Sequence, residues 1–213
     1  MKRIITMALI IVMLFSVNAF ALDFETFDTK DLIEQSSTWA KSEIEKADEL
    51  GLVTKGLGLI YTKDITRGQF AELVVNMAEK ATSKTITPAD SKTFEDTEDI
   101  WVLKAFGSEI VTGVSKTKFE PDTLITREQI ATMLYRAITY IEKEKSKEYI
   151  SKNESLDGYT DKDSVSNWAL TATGVLANNE IMKGTSATSL SPKQNASIEQ
   201  CIILVYRLYE KVK

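Results

Sequence analysis

The sequence contains no histidine, and its only cysteine is Cys201. Without histidine, Ser–His and Cys–His nucleophile pairs are excluded, and the commonest general base and the usual zinc ligand are missing. One cysteine cannot form an internal disulfide. Because Cys201 falls at an apolar helix position, we interpret it as a small buried hydrophobic residue rather than a nucleophile.

A hydrolase that works with a pair of carboxylates needs no histidine. The acidic residues are, however, scattered over helical faces, as at Glu43, Glu45, Asp48 and Glu49. A solvated helix surface accounts for these side chains. We therefore expect no catalytic residues, no cofactor and no metal site, and we expect that the protein is not an enzyme.

Long apolar runs are absent except near the N-terminus. A basic start precedes a mostly apolar segment at residues 4–17, and residues 19–21, Ala-Phe-Ala, fit a small-x-small cleavage site. The run is shorter than the ~20 residues that a spanning helix needs, which disfavours the alternative of a membrane anchor. The pattern predicts a cleaved secretory signal peptide over residues 1–21, and therefore an exported protein that does not stay in the membrane.

The charge of the remaining chain is acidic. Without Lys2 and Arg3 it carries 24 lysines and arginines against 31 aspartates and glutamates, a net charge of −7. Such a surface does not favour nucleic acid or anionic lipid as a partner. We expect no nucleic acid partner and no membrane binding after the signal peptide is removed.

One helical pattern occurs three times in the chain. Each copy has a hydroxyl residue and a glutamine three positions later, which together predict a capping box at a helix start. The three pairs are Thr66 and Gln69, Thr126 and Gln129, and Ser197 and Gln200. Apolar residues follow each pair at i, i+3, i+4, i+7 and i+8, one face of an amphipathic helix. Three helices in one register indicate an internal repeat.

A second motif precedes each of these helices and contains one tryptophan. The tryptophans are Trp39, Trp101 and Trp168, and an aromatic-x-Asp sequence ending at Asp96 or Asp161 precedes the last two. Copy one has Leu32-Ile33-Glu34 in place of that sequence. Tryptophan on a helix face is more often core, so we interpret the three as core residues, with stacking on sugars as the alternative.

A loop connects the two motifs of each copy. It contains Phe119-x-Pro121 in copy two and Leu190-x-Pro192 in copy three, whereas copy one has Leu59 and no proline. The whole pattern predicts an all-α fold of three helix-loop-helix modules, at residues 22–81, 82–142 and 143–213. Each module has an apolar face that it cannot bury alone, so we expect one cooperative folding unit.

The order of these motifs resembles the S-layer homology (SLH) domain, and the resemblance covers almost all of the chain after residue 21. It implies three modules packed around a pseudo-threefold axis, with grooves between modules. It also implies non-covalent binding to an anionic secondary cell-wall polysaccharide, often pyruvylated in this family, and a place at the cell wall or cell surface. The alternative is a cell-surface protein–protein adaptor, or an S-layer-associated structural protein without glycan binding.

Two arginines stand where a helix dipole disfavours a cation. Arg67 and Arg127 occupy the first position of their predicted helices. Because a helix start offers free N–H donors and arginine adds a planar fork, we predict that a ligand carboxylate binds there. The alternative is an ion pair with an acid of a neighbouring module, Asp96 or Asp161. The third copy has Ile198 instead, so we predict that its groove is degenerate.

The predicted glycan-binding site combines these arginines with their capping pairs and one loop glycine. Its residues are Arg67, Arg127, Thr66, Thr126, Gln69, Gln129 and Gly113. The SLH pattern has glutamate where this sequence has Gln69 and Gln129. Glutamine still completes a capping box, but it removes a negative charge near the predicted site.

Overall fold

The computed structural model describes residues 36–58 and 60–213, which form six α-helices. They are α1 Thr38–Glu49, α2 Arg67–Thr82, α3 Ile100–Gly107, α4 Arg127–Lys145, α5 Leu170–Asn178 and α6 Ile198–Val212. Within these ranges there is no β-strand, and backbone pairing outside the helices includes three isolated bridges. The predicted all-α fold is confirmed. The predicted signal peptide, the Leu32-Ile33-Glu34 motif and Leu59 lie outside the described residues.

The capping pairs mark the helix starts, because α2, α4 and α6 begin directly after Thr66, Thr126 and Ser197. In α2 the Thr66 N–H donates to Gln69 Oε1 at 3.0 Å, and the Gln69 N–H donates back to Thr66 Oγ1 at 3.3 Å. In α4 the Thr126 N–H donates to Gln129 Oε1 at 2.9 Å. The reciprocal contact is looser there, and Thr126 Oγ1 makes no hydrogen bond of normal geometry to another described residue.

The apolar faces of α2, α4 and α6 meet in one core. All three helices contact each other, and Leu73, Leu134 and Val205 on these faces are fully buried. Full burial of one such side chain contributes about 1.5–3 kcal/mol relative to exposure. The three long helices therefore form the centre of the fold.

Each short helix packs against the long helix of the preceding repeat. α3 lies on α2, α5 lies on α4, and α1, the first described helix, lies on α6, the last one. The α1 residues that face α6 include Ala40, Ile44 and Ala47, all fully buried. This arrangement brings the two ends of the described chain together.

Backbone hydrogen bonds connect the three helix starts in a closed cycle. The Arg67 N–H donates to Thr123 O at 2.8 Å, and the Arg127 N–H donates to Gln194 O at 2.9 Å. The Ile198 N–H completes the cycle by donating to Lys63 O at 2.8 Å. These bonds satisfy N–H groups that have no acceptor within their own helix. The cycle supports three modules around a pseudo-threefold axis, although that division and its boundaries at residues 81 and 142 stay predictions.

Candidate functional site

The Arg67 side chain is buried and holds the loop that follows α3. Only 8% of the residue is exposed. Its Nε donates to Phe119 O at 3.0 Å, its Nη2 donates to Thr112 O at 2.7 Å, and its guanidinium lies 4.6 Å from the centre of the Phe119 ring. Burial lowers the pKa of Arg67, and the nearby charge of Arg136 lowers it further.

Arg127 makes the equivalent backbone contacts one repeat later, with Leu190 in place of Phe119. It is 4% exposed, its Nε donates to Leu190 O at 2.8 Å, and its Nη2 donates to Lys183 O at 2.8 Å. Burial also lowers the pKa of Arg127. Each arginine therefore joins the start of one long helix to the loop of the next repeat. This structural role was not predicted from the sequence.

The alternative prediction, an ion pair between these arginines and Asp96 or Asp161, is wrong. The Asp96 carboxylate accepts the N–H of Phe119 at 3.0 Å and that of Glu120 at 2.8 Å. The bond from Phe119 is the main reason that the pKa of Asp96 is lowered. The loop thus offers its N–H groups to the aspartate and its carbonyls to Arg67, so the two charged groups hold opposite sides of one loop.

The same loop needs Gly113 for a close backbone approach. A Cβ atom at Gly113 would lie 2.3 Å from Ser115 O and 2.7 Å from Lys118 O, closer than real contacts allow. Gly184 has the same function in the next repeat, where a Cβ would lie 2.4 Å from Ser189 O. The structure therefore gives Gly113 a role in closing the turn beside Thr112, which Arg67 contacts.

Arg127 lines a groove of about 230 Å³ beside α6. The groove, which we name the Trp39–Arg127 groove, is also lined by Trp39, Lys183, Gly184, Thr185, Gln200, Ile203, Leu204 and Arg207. Trp39 belongs to α1 and reaches the groove because α1 packs on α6. Arg207 is held by Glu43 through contacts of 2.8 and 2.7 Å. An indole ring and three cationic side chains thus share one concave surface.

The interpretation of the tryptophans as core residues is wrong for two of them. Trp39 is 58% exposed and Trp168 is 57% exposed, whereas Trp101 is half-buried against the core. Trp39 stands at the start of α1, next to Ala40, which takes the inward-facing position. The exposed rings therefore remain accessible for stacking.

Arg67 and Arg136 form a pair at the α2–α4 junction, as Arg127 and Arg207 do in the Trp39–Arg127 groove. Arg136 occupies the place in α4 that Arg207 has in α6, seven residues after the capping glutamine. Its Nη1 lies 3.5 Å from Thr112 Oγ1, and no described carboxylate lies within ion-pair distance of Arg67 or Arg136. Two cationic groups therefore approach Thr112 without an ion pair to a described carboxylate, although the more distant charge of Glu120 raises the pKa of Arg67.

The third junction, between α6 and α2, has no arginine at either of the two corresponding positions. Ile198 stands in place of Arg67 and Arg127 and is buried. Asn76 stands in place of Arg136 and Arg207, and its side chain donates to Gly51 O and Leu52 O at 3.0 and 3.1 Å. This junction offers no cation from these positions, and a degenerate groove in copy three stays a prediction.

Two buried glutamates have roles that sequence reasoning missed. Glu128 accepts the Ser166 N–H at 2.9 Å, and Glu199 accepts the Ser37 N–H at 2.9 Å. Both serines lie two residues before a tryptophan, and both glutamates lie two residues after a cap. This repeated spacing is the sequence signal that could have identified the two glutamates as capping residues. Each glutamate binds the start of the next repeat's first helical segment.

The one repeat without such a glutamate has a local substitute. Gly68 stands in the position of Glu128 and Glu199. A carboxylate at position 68 would cap α3. That helix is capped instead by its own N-cap residue, Asp99, which accepts the N–H groups of Trp101 and Val102 at 2.7 and 3.2 Å. All three first helical segments therefore begin beside a carboxylate, supplied across the junction in two cases and locally in one.

Two further findings concern only residues 36–58 and 60–213. No group of three or more Asp, Glu or Cys side chains is placed there to hold a metal ion. No helix in those ranges is long and apolar enough to span a bilayer. The absence of a cofactor and of enzymatic activity stays a prediction.

Comparison with known proteins gives the site a family context. Residues 93–131 match the model of the S-layer homology domain, a range that includes Asp96, Gly113, Phe119 and Arg127. A protein named endoglucanase from Bacillus sp. (strain KSM-635) is 29% identical over 181 residues, which are 84% of this chain. The chain spans 18% of the length of that relative. Residues 93–131 therefore match an S-layer homology domain, a kind of domain that binds cell-wall polymers and associates proteins with the cell surface.

Proposed function

We propose that this chain is an exported protein that attaches non-covalently to an anionic secondary cell-wall polysaccharide. The observation that carries the proposal is the Trp39–Arg127 groove, where an exposed indole lies beside cationic side chains. An indole face packs against the apolar face of a sugar ring, while the cations attract a carboxylate such as that of a pyruvate ketal.

In this proposal the arginines have a structural and a binding role together. A guanidinium has five N–H donors, and described backbone carbonyls accept from two of those on Arg127. We propose that a ligand in the Trp39–Arg127 groove, which Arg127 lines, accepts a hydrogen bond from one of the remaining donors. Because Nε and Nη2 are already held, the planar group is fixed in orientation before the ligand arrives, which reduces the entropy lost on binding.

We propose a second anion site at Arg67 and Arg136, beside Thr112 and Gly113. Neither arginine forms an ion pair with a described carboxylate, so an incoming anion does not have to displace one. At the third junction, Ile198 and Asn76 replace the arginines, and we propose no anion site there. The chain would then use two of its three junctions for binding.

We do not propose catalysis by this chain. The two described buried glutamates, Glu128 and Glu199, are engaged in capping helical segments. Endoglucanase is the name of a relative, and this chain spans 18% of the length of that relative. The sequence offers no histidine as an acid–base group.

The test is binding of the purified protein to wall sacculi before and after removal of the secondary polysaccharide. We expect binding to depend on the polymer, and we expect Trp39→Ala to lower affinity about tenfold while Trp39→Phe retains much of it. Thermal unfolding of each variant controls for folding. Equal binding to stripped sacculi would overturn the proposal and favour the protein–protein adaptor.

A further inference from the structure

A groove of about 920 Å³ lies between the end of α3 and the outer face of α4. We name it the α4 groove, and the lining residues used below are Phe106, Thr112, Tyr135, Arg136, Tyr140 and Lys143. It differs from the Trp39–Arg127 groove in position and in size. Thr112 and Arg136 also belong to the second anion site proposed above, whereas Phe106, Tyr135, Tyr140 and Lys143 have no role in it.

The aromatic residues of the α4 groove present both apolar and polar surface. Tyr135 and Tyr140 are half-buried against the core, and Phe106 is partly exposed. Within the described residues, neither phenolic hydroxyl makes a hydrogen bond. Lys152 lies over the Tyr135 ring, with its Nζ 5.9 Å from the ring centre. A partly exposed tyrosine ring with a free hydroxyl, as at Tyr140, suits a ligand that has apolar faces and many hydroxyls, as a sugar has.

Two cations, Arg136 and Lys143, and two carboxylates, Glu109 and Glu144, line the α4 groove. Lys143 is exposed, and neither it nor Arg136 has a carboxylate within ion-pair distance in the described ranges. Glu144, at the groove edge, is already paired with Lys84 at 2.8 Å. Arg136 and Lys143 are seven residues apart on one helix, roughly 10 Å along its axis. One sugar ring cannot contact both.

The α4 groove is continuous with the proposed anion site at Arg67. Thr112 O accepts from Arg67 Nη2 at 2.7 Å, and Thr112 Oγ1 lies 3.5 Å from Arg136 Nη1. Thr112 and Arg136 therefore border both places. A chain of sugars that begins at Arg67 can continue past Arg136 toward Tyr140 and Lys143 without leaving the surface.

We infer that the α4 groove is an extended subsite, which binds further units of the same anionic polysaccharide beyond the unit held at Arg67 and Arg136. This inference rests on the proposed function. It adds that the protein recognises a stretch of polymer rather than a single terminal sugar. Long fragments should then bind more tightly than short ones, with added salt dependence from Lys143.

The experiment compares single-repeat and multi-repeat fragments of purified wall polysaccharide, titrated into the wild-type protein and three variants. Lys143→Glu reverses one charge inside the α4 groove and Lys143→Ala removes it, whereas Tyr140→Phe removes one hydroxyl. We expect Lys143→Glu to lower affinity for long fragments about tenfold, and Lys143→Ala and Tyr140→Phe to lower it about threefold each. Affinity for single-repeat fragments should not change.

Lys80→Glu is the matched control. Lys80 lies in the last turn of α2 beside Gly51, at the junction where we propose no anion site, and it is exposed. The substitution makes the same change in net charge, and we expect wild-type affinity. If it weakened binding as much as Lys143→Glu does, the effect would be general repulsion and the subsite would be overturned.

Two failures are distinguishable. If wild-type protein binds long fragments and both folded Lys143 variants bind them equally well, the extended subsite is overturned while the proposed function stands. If wild-type protein binds neither fragment length, the proposed function is overturned, and the extended subsite with it. Thermal unfolding confirms that each variant is folded at the temperature of the titration.

Discussion

Glu199 Oε2 accepts a hydrogen bond from the Ser37 N–H at 2.9 Å, across 162 positions of the sequence. Its Oε1 also accepts from Ser37 Oγ at 2.8 Å. Ser37 is the N-cap of α1, and Glu199 lies in the first turn of α6. One carboxylate therefore caps the first described helix and fixes it to the last, which completes the cycle of contacts among the repeats.

We expect Glu199→Ala to lower the free energy of unfolding by about 1–3 kcal/mol, since it removes a buried charged acceptor from two donors. The control is Glu210→Ala on the same helix, where the glutamate is exposed and pairs, among the described residues, with Lys213. That variant should stay within about 0.5 kcal/mol of wild type. Urea unfolding measures both, and equal midpoints for the two variants would contradict a capping role for Glu199.

Arg127→Ala should also destabilise the protein, by about 2–4 kcal/mol, because the carbonyls of Leu190 and Lys183 lose their donor. The relief of an unfavourable helix-dipole interaction is smaller, about 0.3–1 kcal/mol. Arg136→Ala, which removes a half-buried arginine with one long contact, is the control and should have little effect. Thermal unfolding of Arg127→Ala at the wild-type temperature would show that the two carbonyl contacts do not stabilise the fold.

Acid should weaken the loop held by Asp161. Burial opposes its charge, but hydrogen bonds from the Leu190 and Ser191 N–H groups and from the Ser189 hydroxyl outweigh burial and lower the pKa of Asp161 below 3.8. A lowered folded-state pKa stabilises the fold above pH 3.8, and this stabilisation is lost as the pH falls through the folded-state value.

The measurement is urea unfolding of wild type and Asp161→Asn over a range of pH. The gap in unfolding free energy between the two should be widest near neutral pH and should narrow below pH 3.8. A gap that stays constant down to about pH 2 would mean that the Asp161 carboxylate does not stabilise the loop through its charge.

Cys201 should be unreactive in the folded protein. It is fully buried, and desolvation raises the pKa of its thiol far above the ordinary value, although the nearby Arg127 charge acts in the opposite direction. Because the thiolate is the nucleophile, iodoacetamide should modify Cys201 only after opening of the core. We expect Arg127→Ala to accelerate the modification, and mass spectrometry follows it. Rapid alkylation of folded wild type at neutral pH would contradict this burial.

The sequence alone predicted the all-α class and the three long helices. A capping pair such as Thr66 and Gln69 is completed within four residues, and the apolar spacing that follows it depends only on the geometry of one helix. These local signals identified the starts of α2, α4 and α6. Gly113 was singled out as a glycan-binding residue, whereas its steric role in closing the turn became visible only with the loop in place.

Only the tertiary structure decided what the charged and aromatic residues contact. The partners of Arg67 and Arg127 are carbonyls 45 to 63 positions away, and that of Glu199 is 162 positions away. The sequence favoured a buried Trp39, but the packing of α1 on α6 turned Ala40 inward and left the indole in a groove. Helix periodicity fixes which residues share a face, whereas the neighbour that a face meets depends on how the repeats close on each other, because contacts across a junction have no local signature.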